Sequence, residues 1–115
     1  YYTEHRKQRT GYRILMELIE LEQRLQDLDK ELVYIDQGIN FLAQGREIGG
    51  LDRLHFLRAQ ALMCRYGTAA LGREIQRECL MAYSICEVFG DMQQMERIRR
   101  FCEEKLKWQI TGQAM

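Results

Sequence analysis

At 115 residues the chain has the size of one domain, large enough to bury roughly 65% of its unfolded surface. Its 17 lysines and arginines are matched by 17 aspartates and glutamates, so no global basic field argues for nucleic acid. No window holds the roughly 18 apolar residues of a membrane span, and the lack of any proline fits an all-helical chain with short links.

Residues 1–10 are polar and basic (His5, Arg6, Lys7, Arg9) and read as a frayed start or as extra first turns of the helix that follows. The first residue is Tyr1 rather than a methionine, which leaves open an excised leader or a longer parent chain. Thr10 is a suitable N-cap, with Gly11 a weak point just after it. From Ile14 the apolar residues keep alternating steps of four and three: Ile14, Leu18, Leu21, Leu25, Leu28, Leu32, Ile35, Ile39 and Leu42. That spacing places every one of these side chains on a single helical seam. It predicts one long, coiled-coil-like helix over 11–48. Gly38 and Gly45 weaken its last third by up to about 1 kcal/mol each relative to alanine, and a break near Gly38 would make two helices of it.

Gly49-Gly50 is the strongest stop signal. Asp52 is placed to cap a second helix over about 52–66, with Leu51 stapled onto Phe56. Leu54, Leu57, Ala61 and Cys64 form its apolar stripe, and Gly67 closes it. Thr68 then caps a third helix over about 69–89, whose stripe is Leu71, Ile75, Cys79, Ala82, Cys86 and Phe89. Leu80, Tyr83 and Ile85 widen that stripe and predict cover on more than one side. Gly90 ends this helix. Asp91 caps a fourth, with Gln94 in the capping-box position, and Met92, Met95, Ile98, Cys102 and Leu106 carry its stripe to about Trp108. Residues 109–115 are expected to form a flexible tail. The fold class is therefore all-α: a long N-terminal helix packed with a C-terminal array over 51–108 of shorter antiparallel helices.

An internal echo appears at about 41 residues. Arg46-Glu47-Ile48-Gly49-Gly50 lines up with Glu87-Val88-Phe89-Gly90-Asp91, followed by Leu51 with Met92, Leu54 with Met95, Leu57 with Ile98 and Arg58 with Arg99. Helix, glycine turn and amphipathic helix at such a period is how helical-hairpin repeats present themselves. Over about residues 31–108 the chain resembles the longer tetratricopeptide-type repeats of regulatory and signalling proteins. The resemblance implies a peptide- or effector-sensing part of a regulator, with a concave face lined by the second and fourth helices and including Arg58 and Arg99. A plain four-helix assembly accounts for the same residues.

The charges beside the seam bear on what covers it. In a parallel in-register pair, Glu17 would meet Glu22 and Glu31 would meet Asp36, with only Arg24–Asp29 attractive. An antiparallel or staggered partner instead brings the basic first 13 residues beside the acidic stretch from Glu17 to Asp36. Leu15, Met16 and Ile19 widen the seam at its start, and Val33, Tyr34 and Phe41 at its end. The later helices are long enough to cover the second group. The first is the better candidate for an interface with another chain, a fully intramolecular bundle being the alternative.

Chemistry is sparse. His5 and His55 are isolated, and Cys64, Cys79, Cys86 and Cys102 form no C-x-x-C pair, so neither zinc spacing nor a disulfide framework is visible. The four thiols read as small buried apolar groups of a cytoplasmic protein. Gly45, Gly49 and Gly50 lack the lysine and hydroxyl of a phosphate loop, and Ser84, the sole serine, has no histidine near it in sequence. No catalytic, cofactor-binding or metal-binding residues are expected. Arg97, Arg99 and Arg100, with Lys105 and Lys107, form a local basic strip interrupted by Glu96, Glu103 and Glu104. Arg58, Arg97, Arg99 and Arg100 are the candidate contacts to a ligand or nucleic acid. The expected function is a non-catalytic protein-interaction or oligomerisation module, in the sensory or dimerising part of a regulator, with Ile14, Leu18, Leu21, Leu25 and Leu28 as its interface. A nucleic-acid-binding helical regulatory protein is the alternative.

Overall fold

A computed structural model describes residues 2–45 and 49–108, with side chains from residue 9 onward. These residues form five helices and, among them, no strand: α1 (Tyr2–Leu25), α2 (Leu28–Gln44), α3 (Leu51–Tyr66), α4 (Thr68–Phe89) and α5 (Met92–Lys105). The chain is all-α, as its periodicity predicts. The expected tail over 109–115 lies outside the described residues, as do Arg46, Glu47 and Ile48 of the sequence echo.

The expected rod over 11–48 is two helices, and the break falls at Gln26 rather than near Gly38. Gln26 takes a left-handed φ of 59°. Its N–H donates to the Gln23 carbonyl at 3.2 Å, and the Asp27 N–H donates to the Glu22 carbonyl at 3.0 Å. These two bonds close α1 in the manner usually given to glycine. Asp27 then caps α2, its Oδ1 accepting from the Lys30 N–H at 3.1 Å, while Asp29 and Glu31 place negative charge at the positive end of the new helix. The heptad steps run across this turn unchanged, so they report two amphipathic helices in phase rather than one rod. Gly38 lies inside α2, where a Cβ would come within 3.1 Å of Leu54 Cδ1. Its lack of a side chain lets α3 approach closely.

Other ends follow the expected signals with small shifts. Asp91 caps α5, Oδ1 accepting from the Gln94 N–H at 3.2 Å, and Gly90 closes α4 with a left-handed φ of 71°. Asp52 and Thr68 are not N-caps: Gly50 and Gly67 hold those positions, and both residues lie in the first helical turn. Leu71 departs from helical geometry and kinks the start of α4.

The helices pack mainly on their neighbours in the chain: α1 on α2, α2 on α3, α3 on α4 and α4 on α5. Two apolar clusters result. Ile19, Ile35, Leu42, Leu54 and Ala61 join the first three helices. Phe56, Ala59, Leu62, Ile75, Cys79, Ala82, Tyr83, Cys86, Ile98 and Cys102 join the last three. Fully burying a leucine or isoleucine contributes about 1.5–3 kcal/mol, so Ile19, Ile35, Leu54, Ile75 and Ile98, all fully enclosed, dominate the cohesion. The central helix α3 belongs to both clusters, so Phe56, Ala59 and Leu62 are buried although the single-stripe reading omits them. Three stripe assignments are corrected. Cys64 is exposed, and Phe89 and Met92 are 59% and 71% exposed because they flank the corner where α5 turns away from α4.

A substitution at the break distinguishes the hairpin from a rod. Gln26→Gly removes the left-handed strain of a side chain and should raise unfolding stability by about 1 kcal/mol. In an unbroken helix the same change would lower it by about 1 kcal/mol. The urea midpoint reads the sign.

Candidate interaction surfaces

The first surface is one flank of α1. At 100° per residue, Ile14, Leu18, Leu21 and Leu25 fall within a narrow sector beside the inward face, which carries Tyr12, Met16, Ile19 and Glu22. Ile14, Leu21 and Leu25 are 51%, 43% and 64% exposed, and Leu18 is half-buried. Four of the five expected interface residues therefore share one flank. Leu28 does not continue the line: it is half-buried on α2, beyond the turn. The expected widening residue Ile19 is core rather than interface. Glu17 and Arg24 are exposed along the outer edge of the flank. α1 is the first of the described helices and packs chiefly on α2, with the Tyr12 ring reaching the α2–α3 turn, where a Cβ on Gly50 would lie 3.0 Å from it.

The second surface is a groove of about 300 Å³ between α3 and α5, lined by Phe56, Gln60, Arg97, Arg100, Phe101, Glu104 and Lys105. Its floor is the edge-to-face pair Phe56–Phe101, with ring centroids 5.4 Å apart. The four candidate arginines divide here. Arg97 and Arg100 line the groove. Arg58 and Arg99 are engaged within the chain, each reaching back to the preceding helix. Arg58 Nε donates to Asp36 Oδ1 at 2.9 Å and Nη1 lies 3.6 Å from Glu78 Oε2. Arg99 Nη2 donates to the Tyr83 hydroxyl at 2.9 Å, and Nη1 to Glu96 at 2.9 Å. Arg100 lies 3.5 Å from Glu96.

Glu78 also meets His55 Nδ1 at 2.8 Å. His55, Arg58, Glu78 and Asp36 thus form a polar clamp across α2, α3 and α4, a cluster that sequence spacing could not reveal because its members are far apart in the chain. The clamp presents no nucleophile. Among the described residues no group of three or more histidine, cysteine, aspartate or glutamate side chains is placed to hold a metal. Near the α1–α2 turn Glu22 and Glu31 are both buried. Glu31 accepts from Gln23 Nε2 at 3.1 Å, whereas Glu22 Oε1 has no hydrogen-bond partner among the described residues.

Three of the four thiols are buried, and Cys64 is not. The Cys86 thiol donates to Asp52 Oδ2 at 3.5 Å. Burial and the neighbouring Asp52 carboxylate push it up to about 12. A hydrogen bond with Cys102 and then burial raise the Cys79 thiol as well, and burial raises the Tyr12 hydroxyl against the pull of Arg53.

These shifts have a signed consequence. A folded-state pKa above the unfolded value near 9 means that the folded state holds its proton more tightly, so this stability is fully present below pH 9 and is lost as pH rises toward 12. The urea midpoint should fall between pH 8 and pH 10.5, with a shallower fall in Cys86→Ala. At pH 8 a thiol-specific colorimetric reagent should react with Cys64 alone in the native protein and with all four cysteines in denaturant. Compared with known proteins, the chain matches no family model, and neither a curated protein nor a solved structure aligns with it significantly.

Proposed function

We propose that this chain is a non-catalytic helical protein-interaction module that binds through the exposed flank of α1 and works without a cofactor. The observation that carries this is the row of Ile14, Leu21 and Leu25, all more than two-fifths exposed along one flank of α1. Scattered single apolar residues on a surface need no explanation, whereas a contiguous row on one helix marks a contact. No helix of the described residues is long and apolar enough to cross a membrane, so the row is better read as a protein contact than as part of a span.

The hairpin-repeat resemblance supports a place in a regulator. The helix starts recur after 40 residues from α2 to α4 and after 41 from α3 to α5. Ile35 and Ile75 are both fully buried at the first offset, and Ala61 and Cys102 are both buried at the second. Packing each helix mainly on its chain neighbours is also how repeat arrays build their cores. The buried free thiols favour a reducing compartment, most simply the cytoplasm.

A second reading rests on the α3–α5 groove, where Arg97, Arg100 and Lys105 outnumber Glu104 beside an aromatic floor. An acidic effector, or less favourably nucleic acid, would be held there, with affinity falling steeply as salt rises.

A photo-crosslinking residue at position 21, introduced into the protein in its native cells, tests the α1 role. Protein adducts are expected, and they should disappear when Ile14→Glu and Leu25→Glu are added. No adduct from position 21 would remove the interaction role.

A further inference from the structure

We infer that the occupant of the α1 flank is α1 of a second copy of this chain, lying antiparallel to the first. This rests on the interaction role proposed for α1 and names its partner.

The first and last of the described helices differ. The last, α5, turns a charged face outward, with Arg97, Arg100, Glu103 and Glu104 exposed. The first, α1, exposes Ile14, Leu21 and Leu25. The apolar residues exposed near α5, Phe89 and Met92, sit at the α4–α5 corner, whereas those of α1 run in a row along one flank.

The flank is complementary to itself. A two-fold axis midway between Leu18 and Leu21 sets Leu18 of one copy against Leu21 of the other, and Ile14 against Leu25. This is the same patch used twice, as a closed dimer requires. The charges agree. Glu17 and Arg24 lie on the same edge of the flank, one heptad apart, and both are exposed. Antiparallel pairing about that axis brings Glu17 of each copy to Arg24 of the other, giving two opposite-charge contacts. Parallel pairing leaves Glu17 level with Glu17 and Arg24 level with Arg24, each about 10 Å along the axis from its complement. Glu22, a flanking position on the seam, is buried within its own chain and adds no repulsion.

The bend at Gln26 also sets the strength. The line of contact ends at Leu25, so it spans only about 16 Å from Ile14. Such a contact belongs to the small, reversible class of interfaces.

Sedimentation equilibrium of the purified full chain tests this, with circular dichroism confirming that each variant keeps its helix content. A monomer–dimer equilibrium is expected. Leu21→Glu should weaken it at least tenfold. Glu17→Arg and Arg24→Glu should each weaken it about three- to tenfold, and the double exchange should restore it, since it changes no packing. Orientation is read by disulfide formation in a Cys64→Ser background. Ile14→Cys mixed with Leu25→Cys should cross-link, while Leu25→Cys alone should not. A monomer at millimolar concentration, a dimer indifferent to Leu21→Glu, or cross-linking of Leu25→Cys to itself overturns the inference. If the purified chain is monomeric while the residue 21 cross-linker still captures another protein in cells, the homodimer fails and the interaction role stands. If neither occurs, both fail.

Discussion

The turn at Gln26 and Asp27 fixes the geometry of everything that follows. A glutamine accepts a left-handed φ of 59°, two carbonyl bonds close α1, and the Asp27 carboxylate starts α2. Without that turn, the heptad residues would form one rod. With it, α1 folds back so that Ile19 meets the cluster of Ile35, Leu42 and Leu54. The inward face of α1 is thereby chosen. It is not the face the heptad marks, and the difference in rotation leaves Ile14, Leu21 and Leu25 on a flank open to solvent.

Residue size and polar placement carry the stack from one hairpin to the next. Gly38 allows α3 to sit close on α2, under Leu54. α3 then buries residues on both sides, supplying Leu54 and Ala61 to one cluster and Phe56, Ala59 and Leu62 to the other. A helix covered on two sides has no single apolar stripe. The clamp of His55, Arg58, Glu78 and Asp36 closes the edge of the same junction. It ties three helices with groups that remain partly hydrated, so its net contribution is modest and its main effect is to fix alignment. The two apolar clusters, joined through one helix, give a slab of 44 × 33 × 21 Å rather than a bundle around one axis.

Much of this was legible in the chain. Gly50, Gly67 and Gly90 mark the later helix boundaries because each takes a positive φ that glycine tolerates without strain. Asp91 announces α5 because a carboxylate before a helix satisfies its free N–H groups. Ile75, Cys79, Ala82 and Cys86 repeat at helical spacing and are buried together. The Gln26 break was harder to read. The apolar steps pass through it in register, and neither glycine nor proline punctuates it. The available sign was Asp27 followed by Asp29 and Glu31, acidic residues gathered where a helix starts rather than continues. The apolar seam was half legible as a shared face: Ile14, Leu18, Leu21 and Leu25 lie on one flank of α1, whereas Leu28 belongs to the next helix. Of the arginines, sequence placed Arg97 and Arg100 on the right helix. It could not foresee that Arg58 and Arg99 are held by Asp36 and Tyr83.

The sequence by itself determined that the chain is helical, where most helices end and which residues are apolar enough to need cover, because backbone conformation and periodicity are local properties. Only the tertiary structure decided which cover each received. Burial depends on the rotation of one helix against another and on the direction the chain takes after each turn. Those are settled by the packing of side chains such as Ile19, Gly38 and Leu54, drawn from helices that the linear order keeps apart.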